Sequence, residues 1–356
     1  MYERDDAVGG LLRYGIPDFK LEKRHIDRRV AQLDAEGVRF VTGCAVGTDL
    51  PVERLRERTD AILLACGALT ARDTPDTPGR GLRGVHLAME HLVGSNRHVA
   101  GTAGGAGQRG TAGGAGQRGT AGGVGQRGTA GGAGRHGTGD APPIDAGGRH
   151  VVIIGGGDTA ADCLGVAHRQ GAAGVAQLDI YPLPPGERDE SRDPWPTWPW
   201  ILRNYPAHEE GGERVFAVAV QAFLGDDTGH VRAVRVAEVT VTKQDGRRMV
   251  APVPGTERDL PADLVLLAIG FDGTEEGALL DQFGLSRRGG TIACGPDWQT
   301  DAEGVFVAGD MHRGASLIVW AIAEGRAAAA AIHEYLGGAG SLPAPVTPGA
   351  RPLVAR

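Results

Sequence analysis

The alternation of apolar and polar positions changes period several times along this chain, and each change marks an element. Between Leu21 and Gly37, Ile26, Val30 and Leu33 recur at helical spacing and Gly37 closes the run, which predicts an amphipathic helix. Val38–Thr42 and Asp60–Gly67 read as strands. The second, DAILLACGA, is apolar enough for a parallel strand covered on both faces and ends at Gly67. Val151–Ile154 runs into Gly155-Gly156-Gly157, and DTAADCLGVAHRQG then has helical composition up to Gly171, a fitting C-cap. A further strand, VAQLDIY, follows over Val175–Tyr181. Val215–Leu224 and Val231–Thr242, joined through GDDTGH, predict a β-hairpin, and Asp263–Phe271 predicts a buried strand ending near glycine. The last block gives a strand at Val305–Ala308, a Gly309-Asp310 turn and a helix from about Ala315 to Leu336.

The strand, turn and helix beginning at Val151 carry a specific spacing, Gly155-x-Gly157-x-x-Ala160. In such a turn the first glycine bends the chain, the second lets backbone approach a pyrophosphate, and the small third residue lets the helix pack on the strand. The free N–H groups and positive end of the helix dipole face the phosphates. Gly155, Gly156, Gly157, Asp158, Thr159 and Ala160 are therefore the candidate dinucleotide site, against the alternative of a purely structural glycine turn. Asp179, 24 residues after Gly155, stands where an acid holds a ribose 2′-hydroxyl, whereas Arg188 and Arg192 in the next loop are placed to pair with a 2′-phosphate.

Length and composition narrow the classes. At 356 residues two domains are expected, and 41% hydrophobic with 23% charged residues fits a globular protein. A net charge of −7, with no basic patch interleaved with aromatics, argues against nucleic-acid binding. No apolar run approaches membrane-spanning length, and the charged start, MYERDDAVGG, is unlike a signal peptide, so a cytoplasmic location with no membrane partner is expected. Cys44, Cys66, Cys163 and Cys294 contain no CxxC and read as isolated thiols, with no metal site. Four tandem nonapeptides between Gly101 and His136, beginning GTAGGAGQR, hold too few apolar groups to fold and lack the aspartates of a calcium-binding solenoid. A flexible linker is expected there. The loop containing Trp195, Trp198 and Trp200 is long for an α/β connection and suggests function or docking. Taken alone, Glu3 is a solvated charge and Asp310 a helix cap or turn residue.

Six stretches together resemble the small (β) subunit of bacterial glutamate synthase, within the two-dinucleotide flavoprotein reductases. They are GGLLRYGIPDFKLEK, DAILLACGA, VVIIGGGDTAADCLG, AHEEGGER, PADLVLLAIGF and GVFVAGDMHRGASLIVWAIAEGR, in that order. The resemblance implies an α/β fold of two Rossmann-like dinucleotide-binding domains in which the first strand and fingerprint of the FAD domain are missing. It divides the chain into a first FAD segment (1–97), a Gly-rich disordered linker (98–147), an NAD(P)H domain with a hairpin (148–280), a second FAD segment (281–336) and a disordered tail (337–356).

By the same resemblance Glu3 would touch the FAD ribose, and Gly10 and Leu11, within Gly9–Pro17, would lie along the flavin ring. Gly67 would end a strand close to the cofactor. Gly309 and Asp310 would hold the ribityl and pyrophosphate groups, while Ser316, Leu317, Trp320 and Ala321 would bring a helix end to the ring. NADPH would give a hydride to the flavin, and electrons would pass to a large (α) subunit that makes glutamate from glutamine and 2-oxoglutarate. Hydride transfer of this kind requires no side-chain acid or base, so no catalytic residue is expected. The family's cysteine-rich region is not in this chain, so no iron–sulfur ligands are expected from it. With Met1 falling in what would be the second strand, an N-terminally truncated reductase with partial FAD binding is expected. A reductase feeding another acceptor and a non-catalytic nucleotide-binding module are the alternatives.

Overall fold

The structure, a computed structural model, describes residues 1–104, 144–244 and 247–351. Five short parallel strands form its main sheet in the order Val85–Leu87, Leu264–Leu267, His150–Ile154, Gly174–Leu178 and Glu213–Val215. The strand leading into the glycine turn is thus central. Because successive strand side chains point to opposite faces, Val151 and Ile153 join Leu264 and Leu266 against the helices Asp158–Arg169 and Ala88–Gly104, while Val152, Val265 and Leu267 pack beneath an antiparallel sheet. That second sheet contains the expected hairpin, Val218–Gly225 with Val231–Gln244, in the register Gly225↔Val231. Arg247–Pro252 and Arg258–Pro261 pair with different parts of the long strand. Val215, expected in the hairpin, belongs instead to the parallel sheet. Ala217, at φ 53°, breaks the chain between the two.

The helix after the glycine turn ends as its sequence requires. Gly171 adopts φ 80°, its N–H donates to the His168 carbonyl, and the Ala172 N–H donates to the Ala167 carbonyl. This is a Schellman ending, which needs a left-handed residue at the Gly171 position.

A second body is built on Ile62–Leu64 running parallel to Val305–Val307. Leu64, Val305 and Val307 pack with Val52, Leu55, Leu280, Phe283 and Met311, while Phe306 points the other way onto Trp298, Ala327 and Ala328. The helix Ile318–Tyr335 covers this side, and the helix Arg24–Ala35 offers only a half-buried stripe of Ile26, Val30 and Leu33. Burial of DAILLACGA on both faces is not what the structure shows: Leu63 is 39% exposed, because Val305–Val307 is the only strand that pairs with it among the described residues.

The division of the chain also differs from the sequence-based one. Val85–Leu87, placed in the first FAD segment, and Ala88–Gly104, which straddles the boundary at residue 97, belong to the five-stranded body, and Ile144 and Ala146 pack into the same core. Beyond Gly104 the nonapeptide repeat lies outside the described residues. The tail lies against the second body up to residue 351, with Val346 packed beside Phe306 and Trp298. The Pro348 carbonyl lies 3.2 Å from His312 Nε2, and the Ala350 carbonyl accepts from Arg313 Nη1.

Leu266 is fully buried at the centre of the parallel sheet. Leu266→Ala should destabilise the chain by about 2–5 kcal/mol through lost burial and a residual cavity, whereas Leu63→Ala should cost a small fraction of that. Chemical denaturation of both variants checks the contrast.

Candidate functional site

Each glycine of the turn has its own reason to lack a side chain. Gly155 adopts φ 138°, and a Cβ there would stand 2.2 Å from the Ala268 carbonyl oxygen. One on Gly156 would stand 1.8 Å from Asp179 Oδ2. A Cβ on Gly157 would meet nothing within 4 Å, so this glycine opens the turn to approach from outside. Ala160 is fully buried between helix and sheet, as a small third residue should be.

Gly157 is the N-cap of the 12-residue helix Asp158–Arg169 and supplies no capping side chain. The first intrahelical bonds are those from the Ala160 and Ala161 N–H groups to the Gly157 carbonyl. Among the described residues, the N–H groups of Gly156, Gly157, Asp158 and Thr159 have no hydrogen-bond acceptor in the chain. Four consecutive free donors at a helix N-terminus make an anion cradle.

The first two helical turns carry two carboxylates, Asp158 and Asp162, which would weaken such a cradle. Lys20 answers both, with Nζ 3.3 Å from Asp158 Oδ1 and 2.9 Å from Asp162 Oδ1. Burial works against the Lys20 charge, but hydrogen bonding and attraction from Asp162, with attraction from Asp158, outweigh it and leave the ammonium more basic than usual. Burial also raises Asp162 above the usual carboxylate range, opposed by Lys20. Beside Lys20, the Phe19 ring packs where any side chain on Gly165 would stand, with Arg169 stacked 3.7 Å from its centre. The segment around Pro17 is thereby clamped to the helix Asp158–Arg169. Ala71, Ala88, Met89, Thr159, Ala268 and Phe271 line a narrow crevice beside the turn.

The second strand–glycine–helix turn, at Gly309, is held from a distance. The fully buried Glu324 accepts from the Gly309 N–H at 2.9 Å and from Arg313 Nε at 2.5 Å, and the Arg313 guanidinium stacks 4.1 Å from the Trp320 ring centre. Burial, with Glu324 nearby, pushes the Asp310 carboxyl up to about 6, while the Ser316 backbone N–H opposes the shift. Ala321 faces Gly309, and the exposed Leu317 caps the helix Ile318–Tyr335. Gly309, Asp310, Ser316, Trp320 and Ala321 are thus brought together. Gly67 reaches the group through Thr274, whose hydroxyl lies 3.4 Å from the Gly67 carbonyl and 3.3 Å from that of Met311.

Glu3 spends one carboxylate oxygen on the Asp5 N–H. Gly10 opens the short helix Gly10–Tyr14, and Leu11 packs against the core of the nucleotide domain.

Arg188 and Arg192 are not aimed at Asp179. Arg188 donates to the carbonyls of Asp193 and Thr197, which staples its own loop, and Arg192 stacks 4.3 Å from the Trp200 ring centre. Arg214 instead feels the Asp179 charge, though burial is the larger influence and leaves it less basic than usual. The residues missed from sequence are those that act across elements: Lys20, Gln177, His208, Arg214 and Glu324. Gln177 gave the clearest signal, as a lone amide inside the apolar strand VAQLDIY.

Burial, then Arg214, lowers His208 from its ordinary 6.5 to about 4. The four cysteines are free, and burial, followed by Glu324 and Asp297, pushes the Cys294 thiol up to about 12. Among the described residues no cluster of three or more His, Cys, Asp or Glu side chains is placed to hold a metal, and no helix is long and apolar enough to cross a membrane.

A parallel sheet with a fingerprint turn, together with a second strand–glycine–helix turn, defines a two-dinucleotide reductase architecture. Comparison with known proteins agrees. Residues 22–325 match the family described as pyridine nucleotide-disulphide oxidoreductase. FprA of Mycobacterium tuberculosis, solved in complex with NADPH, aligns with a TM-score of 0.63 at 17% identity, covering 95% of this chain and 77% of its own. Thioredoxin reductase of T. acidophilum aligns with a TM-score of 0.55 at 14% identity, covering 95% and 90%. Both likenesses concern the fold.

Among sequence relatives, the glutamate synthase (NADPH) small chain of Mycobacterium tuberculosis is 51% identical over 99% of this chain and 65% of its own, and that of Bacillus subtilis is 36% identical over 96% and 64%. The chain belongs to the pyridine nucleotide-disulphide oxidoreductase family and, within it, groups with the glutamate synthase small chains. It spans about 65% of the length of these two relatives.

Two measurements probe the site's electrostatics. Glu324→Ala leaves Arg313, only 8% exposed, without its counter-charge, and should cost about 3–5 kcal/mol in denaturant unfolding. His208 titrates near 4 when folded and near 6.5 when unfolded. Its contribution to stability is therefore whole above pH 6.5 and is lost as the pH falls from 6.5 towards 4. Melting temperatures across that window should fall less steeply in His208→Gln than in the parent chain.

Proposed function

We propose that this chain is an NADPH-dependent flavoprotein oxidoreductase of glutamate synthase type. In this reading NADPH binds at Gly155–Ala160, FAD lies along the second body, and electrons leave for a large subunit that forms glutamate from glutamine and 2-oxoglutarate. The observation that carries the reading is the run of four unpartnered N–H groups from Gly156 to Thr159, open to solvent at Gly157. The names of the sequence relatives support the electron donor and the partner.

The chain's own residues have defined tasks. The turn's N–H groups hold the donor's pyrophosphate, Lys20 removes the local negative charge that would oppose it, and Ala268 and Phe271 line the crevice against Thr159. Asp310 faces a flavin hydroxyl or phosphate, together with Gly309, Ser316, Leu317, Trp320 and Ala321. Glu3, Gly10, Leu11 and Gly67 complete that surface. The flavin, once bound, supplies the two-electron acceptor, and no side chain here has to move a proton for hydride transfer. Arg192, whose bonding is confined to stacking and loop contacts, is the guanidinium best able to turn toward a 2′-phosphate, with Arg188 holding the loop that carries it.

Titration of the chain with NADPH, followed by tryptophan fluorescence or calorimetry, should show saturable binding. Gly157→Asp, which sets a carboxylate in the open mouth, should weaken it at least about tenfold. Absence of binding by the parent chain overturns the assignment. Arg192→Ala should weaken NADPH more than NADH, and equal losses would refute its role in reading the 2′-phosphate.

A further inference from the structure

Behind the glycine turn lies a hydrogen-bond relay that begins in a different part of the chain. The Tyr205 N–H donates to His208 Nδ1 at 3.1 Å, His208 Nε2 lies 2.9 Å from Gln177 Oε1, and Gln177 Nε2 donates to the Gly155 carbonyl at 2.9 Å. Every proton in the relay is determined. A backbone N–H can only donate, so Nδ1 of His208 must accept, and the ring proton of the neutral imidazole must sit on Nε2. Nε2 then donates to Gln177 Oε1, which turns the amide so that its NH₂ faces Gly155. The reverse amide orientation would set two oxygen acceptors against each other. Gln177 is 2% exposed, so its bonds are not exchanged with bulk water.

The target of the relay matters because of peptide geometry. The Gly155 carbonyl and the Gly156 N–H belong to one planar trans unit and point in opposite directions. Anchoring the oxygen toward the buried Gln177 sends the N–H the other way, toward the outside of the turn, and Gly156 is the first of the four unpartnered donors. Gly155 and Gly156 have no side chains to hold this unit, and glycine backbone is the most permissive in the chain.

We infer that Gln177 and His208 are positioning residues for the donor nucleotide, holding the Gly155–Gly156 peptide in the orientation that presents its N–H to pyrophosphate. The inference rests on the proposed nucleotide site and extends it to two residues outside the fingerprint. It also assigns a task to the stretch Tyr205–Arg214, whose short helix Pro206–Glu209 carries His208 to the strand of Gln177.

The test compares two ligands that differ in the group the relay serves: NADPH, which carries the pyrophosphate, and 2′-AMP, which carries the adenosine 2′-phosphate without it. Gln177→Glu keeps the shape but removes the donor to Gly155, and His208→Leu removes the donor to Gln177. Both should weaken NADPH about tenfold, the loss of one hydrogen bond's worth of orientation, with 2′-AMP affinity unchanged. His208→Gln, whose amide nitrogen takes the place of Nε2, should restore NADPH binding. Equal losses for both ligands, or no loss for NADPH, would overturn the relay. If His208→Leu fails to fold, the near-isosteric Gln177→Glu and the rescue variant still decide between these outcomes. Failure of the parent chain to bind NADPH would instead remove the nucleotide site on which the relay acts.

Discussion

Three strand ends converge on a point where there is room for no side chain. The Ala268 carbonyl at the end of one neighbour stands where a Cβ of Gly155 would be, and the Asp179 carboxylate at the end of the other stands where a Cβ of Gly156 would be. This close approach sets the register of the parallel sheet at its carboxyl edge, since a strand shifted by a residue would bring a side chain into the gap. It also makes the turn tight enough for the helix to start at Asp158 with its first donors unused. Sheet, turn and anion cradle are therefore consequences of one steric condition.

The two strand–glycine–helix turns solve the same problem with different chemistry. A glycine at the turn is free to rotate, and each is pinned by a buried side chain from another element: Gln177 holds the Gly155 carbonyl, and Glu324 holds the Gly309 N–H. A neutral amide adds no charge of its own to the first turn. A carboxylate at the second must be balanced by the buried Arg313, and its field adds to the burial that raises Asp310. The first turn is consequently suited to a full anionic charge, and the second to a hydroxyl or a group that shares a proton.

Much of this was legible in the sequence, where elements are governed by local rules. The glycine spacing, the Gly171 ending and the hairpin from Val218 to Gln244 depend on residues near one another in the chain, and each is present within a few positions of where the pattern put it. The three central strands of the five-stranded sheet, Leu264–Leu267, His150–Ile154 and Gly174–Leu178, read correctly because apolar runs mark them directly. What escaped was relational. No period in the sequence says that Val85–Leu87 crosses into the nucleotide sheet, that Glu324 reaches back to Gly309, or that Arg188 spends its guanidinium on carbonyls of its own loop. The exposure of Leu63 was hidden for a related reason: an apolar run reports what a strand can bury, not which strands lie beside it.

Lys20 ties these observations into a constraint between the bodies. Asp158 and Asp162 lie in the first turns of a helix whose N-terminus must stay positive to hold an anion, and Asp162 is nearly buried. Their neutralising charge comes from outside the helix, on the segment that leads into the helix Arg24–Ala35 of the second body, so the cradle reaches its full potential only while that segment is docked. Docking in turn depends on Phe19 lying over Gly165, a helical position where any larger residue would push the ring away. A glycine in mid-helix normally costs stability. Here it admits the aromatic ring that brings the lysine into place, and it couples the electrostatics of one body to the packing of the other.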